Sequence, residues 1–492
     1  MMFSRSSGVL LHVSSLPGPY GVGDLGPEAH AWVDWLADAG CRYWQILPLG
    51  PTGSADSPYS SPSSSAGNIN FISPDLLVGD GLLAVGEVGG EEKTERVDYS
   101  RVVRHKWAMV GLAFSRLSGD LEVEFTRFRK RESEWLDPYS LFMALKDAHG
   151  GGSWTDWPPE LRARDAKTLD VARRELADEI ARHAMGQFLF YRQLEALREH
   201  AAERRVEIIG DVPLYVAADS VDVWLRPELF TMDLTTGMPS MVGGVPPDLF
   251  SETGQWWGTP LYRWDAHAAD DFAWWARRLE SFMRQADVLR IDHFTGFARY
   301  YAIYGSAETA TKGVWLEGPG AAFFNSMERR FGDLEIIVED IGPLGDVVED
   351  LRRQLGYPGM RVLQQAFDGD PGNRSLPENY TDDSVVYTGT HDSDTARGRL
   401  DGESDQYRQR ALSYTGASPE TYSWALITRA WESAAVIAIT PMQDLLGLGT
   451  EARMNHPSTT EGNWQWRMAD GAASSDLVEK LTDLNRRTGR SR

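Results

Sequence analysis

Eight apolar, β-branched runs of strand length, separated by helical patterns, predict a (β/α)8 barrel with inserted, partly helical subdomains. The runs are "GVLLHV" (8–13), "YWQILPL" (43–49), "VEIIGDVPL" (206–214), "DVLRIDHF" (287–294), "LEIIVEDIG" (334–342), "MRVLQQAF" (360–367), "SVVYTGTHD" (384–392) and "AAVIAITPM" (434–442). Several are nearly continuous in apolar residues, as parallel strands covered on both faces must be. Between them, "PEAHAWVDWLADAG" puts Trp32 and Leu36 on one helical face and stops at Gly40, a C′ glycine. "AAFFNSMERRFG" aligns Phe323, Met327 and Phe331, and "DVVEDLRRQLG" aligns Val347, Leu351 and Leu355 before Gly356.

The spacing of the runs is uneven. Residues 50–205 separate the second run from the third, far more chain than one crossover helix needs. Helical stretches around 105–118, 138–148 and 170–204 make 70–200 a mostly helical insertion. Residues 215–280, rich in Pro, Gly and Trp, form a second, loop-rich insertion. The whole chain, 1–492, then reads as one catalytic barrel carrying both.

Composition narrows the function classes. A formal charge of −23 without a basic stripe argues against nucleic acid, whose phosphates need clustered Lys and Arg. No run of about eighteen apolar residues offers a membrane span, and the apolar N-terminal run is too short for a signal segment. The one cysteine, Cys41, excludes an intrachain disulfide and suits a reducing compartment, so a cytoplasmic protein is expected. The 18 Trp and 17 Tyr serve core packing first, but their flat rings also suit sugar or nucleotide faces.

In a barrel of this kind chemistry gathers at the C-terminal ends of the strands. Those ends carry Asp211, Asp292, Glu339 with Asp340, and His391 with Asp392. Like charges on one rim repel unless they are used. A structural ion pair between Arg290 and Asp292 is the bland alternative. Metal motifs such as HxH, HExxH or CxxC are absent, and only the histidines beside carboxylates, His293 and His391, keep a metal reading open. Phosphate-binding glycine loops and GxSxG are absent too. Glycosidic bond chemistry remains, with a nucleophilic carboxylate facing a proton-donating one. Asp292, kept ionised by Arg290, suits the nucleophile. Glu339, after an apolar run and beside Asp340, suits the acid/base because both circumstances raise its pKa.

The segments "RIDHF" and "TGTHDSDT" resemble motifs of the 4-α-glucanotransferases of glycoside hydrolase family 77. So do "SSGVLLHVSSLPGPYGVGDLG", "GPTGSADSPYS", "IIGDVPLYVAADSVDVW", "GVPPDLFSETGQWWGTPLYRW" and "LGLGTEARMNHPSTTEGNWQWR", in the family's order over essentially the whole chain. The resemblance implies a retaining double displacement on maltooligosaccharides and α-1,4-glucans, without a cofactor or catalytic metal, by a monomer or small homo-oligomer. It makes Asp292 the nucleophile, Glu339 the acid/base, and Asp392 the residue that holds the sugar's 2- and 3-hydroxyls. Arg290, His293 and His391 would bracket the donor sugar, with Asp211 behind them. Ser57, Tyr59, Gln255, Trp257 and Asn463 would line subsites, and 244–255 would be a covering loop that excludes water. The rival readings are an α-1,4-glucan hydrolase on the same scaffold and a catalytically silent glycan-binding protein.

The chain departs from the family pattern in places. Ser60, Pro62 and Ser65 replace a Gln and two Phe, and Ile69 a Pro. Thr295, Tyr301, Tyr304, Glu378 and Ser393 also differ from the usual residues. Fewer rings in the 60–69 loop would weaken stacking on a long glucan and shift preference toward short maltodextrins.

Overall fold

The structure, a computed structural model, describes residues 3–90, 94–233, 235–247, 251–342 and 344–491. Its strands, in chain order, begin with β1 (Ser6–Leu10), β2 (Tyr43–Gln45), β3 (Glu207–Val212), β4 (Met241–Val245), β5 (Gln255–Pro260) and β6 (Val288–Ile291). They continue with β7 (Arg299–Tyr304), β8 (Gly313–Glu317), β9 (Ile336–Val338), β10 (Gly359–Val362), β11 (Ser384–Tyr387) and β12 (Ile437–Pro441). A closed parallel barrel runs β1–β12–β11–β10–β9–β6–β3–β2. Each of the eight apolar runs supplies one barrel strand, so the predicted (β/α)8 barrel is the fold. The strands are shorter than the runs because the apolar residues that follow, such as Leu11, Ile46 and Leu47, stay buried in the rim.

Local chemistry explains how the chain turns between layers. The helix Pro27–Asp38 ends in a Schellman turn: Gly40, at φ 74°, donates to the Ala37 carbonyl and Cys41 to that of Leu36. This aims the chain directly into β2. Inside the barrel, β1 passes so close to β2 that a Cβ at Gly8 would lie 2.6 Å from Tyr43. Only glycine allows that approach.

One helix face differs from expectation. In Gly345–Leu355 the buried residues are Val348, Leu351 and Arg352, and Val347 is exposed. A charged residue occupies the inward position because Arg352 meets Asp340, Glu349 and Asp383 there. The apolar count along the helix therefore pointed one residue astray.

Between β2 and β3 stand the helices Tyr99–Ser115, Gly119–Arg131, Ser133–Ala148, Ala166–Glu175 and Ala177–Glu203. The second of these was not legible in the sequence, since it buries only Phe125 and Phe128. The last packs on β3 and on Pro27–Asp38, and also on the other helices, so one long helix joins this region to the barrel wall. The chain after β3 contributes β4 and β5, which pair with β7 and β8 in an antiparallel sheet of order β5–β4–β7–β8. This sheet is a second element that the reading of 215–280 as loops did not contain.

The C-terminal helix Ser475–Thr488 packs in the outer layer between Pro27–Asp38 and Tyr422–Glu432, and the chain after it reaches the N-terminal ends of β1 and β12. Arg490, fully buried, donates to the carbonyls of Trp431, Ser6, Val436, Ser433 and Ala435. Burial pulls its pKa down only to about 9, so it stays charged at neutral pH. Arg490→Ala would remove one donor from each of five carbonyls, four of which keep another from Arg5 or the Ser6 amide, and a stability loss of about 2 kcal/mol is expected. A lower urea midpoint with unchanged kcat per folded molecule would bear this out, because the loss lies at the end of the barrel away from the strand C-termini.

Candidate active site

The side chains of β6 alternate, so Arg290 and Asp292 point into the barrel mouth while Ile291 faces its wall. Arg290 is 2% exposed. Its Nη1 donates to both oxygens of Asp211, at 2.6 and 2.7 Å, and to Asp292 at 2.9 Å. Its Nη2 donates to Glu339 at 2.8 Å. Three carboxylates from three adjacent barrel strands thus share one guanidinium.

That ratio decides protonation. One positive charge cannot neutralise three buried anions in a low dielectric. Burial pushes Glu339 well above the usual carboxyl range and the charge of Asp292 adds to this, against the pull of Arg290. Burial works in the same direction on Asp292, but Arg290, a hydrogen bond from Glu339 and the charge of His391 outweigh it and hold Asp292 below its ordinary value. The pair therefore rests as a protonated Glu339 donating to an ionised Asp292. Asp211, raised by burial, lies behind them and also accepts from the Tyr59 hydroxyl at 2.8 Å.

Backbone contacts fix the pair. The Asp292 amide donates to the Val212 carbonyl, the Glu339 amide to Ile291 and the Phe294 amide to the Glu339 carbonyl. His293 takes a left-handed φ of 49°, strained for a non-glycine residue, and its amide reaches the Glu339 carboxyl at 3.1 Å. Its ring stands perpendicular to Trp257, with centroids 5.0 Å apart.

The opposite wall follows β11. Asp392, about half exposed, accepts from Asn455 at 2.5 Å and lies 3.4 Å from His391. It has no link to Arg290 and faces the other carboxylates across open space. Tyr59 stacks on His391, with centroids 5.1 Å apart and an 18° tilt. The loop that carries His391 and Asp392 is anchored from below. Buried Asp444, after β12, accepts from Thr388 and from the Ala396 amide, each at 2.6 Å.

The cavity between these walls measures about 730 Å³ and is lined by Ser57, Tyr59, Gln255, Trp257, Asp292, His293, Glu339, His391, Asp392 and Asn463. Asp211 and Arg290 lie beneath it. Of the covering loop, Val245, Pro246, Pro247 and Gln255 line the cavity, and Asp248, Leu249 and Phe250 lie outside the described residues. No group of three His, Cys, Asp or Glu suited to a metal ion occurs among the described residues.

The structure adds detail to three of the sequence expectations. Asp340 does not raise Glu339: the next residue along an extended chain points the other way, and Asp340 is held by Arg352 and Arg361. Asn463 lines the cavity, but its amide is spent within its own loop, accepting from the His456 amide and donating to Thr459. Pro62 and Ser65 do not line the cavity, whereas Ser60 does. Sequence reasoning passed over Asn455, Tyr215, Trp315 and Trp464, although Asn455 and Trp464 sit in the segment that yielded Asn463.

Comparison with known proteins agrees with this geometry. The glycoside hydrolase family 77 profile, described as 4-alpha-glucanotransferase, matches residues 11–473. A 4-alpha-glucanotransferase of Thermus thermophilus is 44% identical over 100% of both chains. The chloroplastic/amyloplastic enzyme of Solanum tuberosum is 42% identical over 99% of this chain and 86% of its own. The amylomaltase of Streptococcus agalactiae, solved with acarbose, superposes with a TM-score of 0.95 at 36% identity, over 99% of this chain and 100% of that one. The chain belongs to the 4-alpha-glucanotransferase family, glycoside hydrolase family 77.

Proposed function

We propose that the chain transfers segments of α-1,4-glucan between sugars by a retaining double displacement in which Asp292 is the nucleophile and Glu339 the acid/base. The observation that carries the assignment is the shared guanidinium of Arg290, which leaves one carboxylate ionised and one protonated within hydrogen-bonding reach. The ionised Asp292 attacks the anomeric carbon while Glu339 gives its proton to the departing glycosidic oxygen. The leaving glucan exits with a free 4-hydroxyl, and a glycosyl ester on Asp292 remains. Glu339, now a carboxylate, takes the proton of an incoming 4-hydroxyl, whose oxygen displaces Asp292. Retention follows from the two inversions.

Asp392, held at one oxygen by Asn455, presents its other to the ring hydroxyls of the donor sugar. Tyr59 and His391 give that sugar a flat wall, and Trp257 with Gln255 gives one to the acceptor. Val245–Pro247 and the 455–463 loop enclose the cleft from two sides, which supports transfer over hydrolysis by limiting water at the ester. No described helix is long and apolar enough to cross a membrane, and the single buried Cys41 suits a cytoplasmic setting.

Incubating the pure protein with maltotriose tests the reading. Glucose together with maltopentaose and longer chains is the expected product set, and glucose with maltose alone would mean hydrolysis. Asp292→Asn should lower kcat by about 10⁴-fold or more without loss of fold.

The protonation states also set a pH profile. Activity requires Asp292 ionised and Glu339 protonated. The acid limb of kcat/KM should therefore fall below the usual carboxylate range, where Asp292 takes up a proton, and the alkaline limb well above it, where Glu339 loses one. A rate that already declines through pH 4–5 as Glu339 ionises would contradict this assignment.

A further inference from the structure

The segment from Thr388 to Ala396 joins the end of β11 to the helix Ala396–Gly402 and carries His391 and Asp392. Four side chains grip its middle. Gln364 donates to the Asp394 carbonyl, Thr450 to the Asp394 carboxylate, Arg453 to the Asp392 carbonyl and Asn455 to the Asp392 carboxylate. Three of the four come from 450–455, which belongs to no barrel strand. The two ends of the segment are held by one residue. Asp444, in the short helix Met442–Leu445 after β12, accepts the Thr388 hydroxyl at Oδ2 and the Ala396 amide at Oδ1. Because β12 pairs with β11, this carboxyl ties both ends of the segment to the neighbouring strand of the barrel wall.

Packing does not duplicate that hold. Between the segment and the ends of β1 and β2 lies a space of about 30 Å³, bounded by Leu10, His12, Leu47, His391, Ser393 and Asp444. Close-packed interiors seldom leave a void larger than a water molecule. On the β1 side of this space, His12 keeps a buried ring nitrogen without a hydrogen-bond partner. The height of the segment above the barrel is therefore set by hydrogen bonds, and Asp444 alone spans its ends.

We propose that Asp444 is a positioning residue that, by bridging Thr388 and Ala396, fixes the span from which Asp392 reaches the donor sugar. The inference rests on the glucan-transfer reading for what Asp392 does. Asp444 is 1% exposed and does not line the cleft, so it acts on substrate only through the segment it holds. Burial raises its pKa to about 6, but the bridge does not need the charge. A protonated carboxyl, or an amide in its place, still accepts from Ala396 at one atom and donates to the Thr388 hydroxyl from the other.

Asp444→Ala should lower kcat/KM for maltotriose about 100-fold, the scale of a misplacement of about 1 Å. Asp444→Asn should keep most of the activity. In an Asp392→Asn background the same alanine change should cost less than about tenfold, since residues that act as a unit are not additive. An undiminished loss in that background would overturn the proposal, as would an unchanged kcat/KM in the folded alanine variant. So would an asparagine variant as impaired as the alanine one. Should Asp444→Ala not fold, Thr388→Val, which removes one of the two contacts and keeps the shape, takes its place in the same cycle with an expected loss of about tenfold. Hydrogen exchange reads the bridge without turnover: in the variant, peptides over 388–396 should exchange faster, with those of β3, β6 and β9 unchanged. Unaltered exchange over 388–396 would overturn the proposal. Failure of the wild type to disproportionate maltotriose would instead strike the glucan-transfer reading, and the exchange would still decide whether Asp444 holds the segment.

Discussion

One buried guanidinium against three carboxylates is the interaction on which the rest of the site depends. Arg290 is nearly sealed from water, and the desolvation of its charge is offset only by Asp211, Asp292 and Glu339 together. Because it cannot satisfy three full negative charges, the cluster settles with one carboxyl protonated. The same electrostatics that hold the barrel mouth together keep a protonated carboxyl beside an ionised one. Stability and chemistry are here two consequences of one charge balance.

The barrel supplies the geometry that this balance needs. Parallel strands bring β3, β6 and β9 into adjacency, and the register Asp211↔Arg290 sets the first contact directly. Backbone hydrogen bonds beyond the strand ends then hold Asp292 and Glu339 in step. Asp392 is placed differently, on a loop tied down by Asp444 and Asn455 rather than by Arg290. Asp292 and Glu339 are therefore rigidly coupled, and Asp392 stands apart across the cavity that all three line.

The helical region and the antiparallel sheet surround this mouth without sharing its charge cluster. The sheet adds Gln255, Trp257 and Trp315 to the cleft wall, buries Val242, Tyr301 and Ile303 in a small core of its own, and leaves Trp256, Tyr304, Val314 and Leu316 exposed.

By itself the sequence determined the barrel and the residue types at its rim, because a parallel strand must be apolar on both sides and a functional strand end must then break into charge. Motif order likewise carried the family, and Asp292, Glu339 and Asp392, which those motifs proposed, all line the cavity. What only the tertiary structure decided were relations between distant segments. Pairing of β4 and β5 with β7 and β8 depends on contacts across β6, which no local periodicity records. The direction of Asp340 away from Glu339, the inward turn of Arg352 in place of Val347, and the self-satisfied amide of Asn463 follow from which partner each side chain meets. Local sequence states what a residue can bond; the fold decides which bond is within reach.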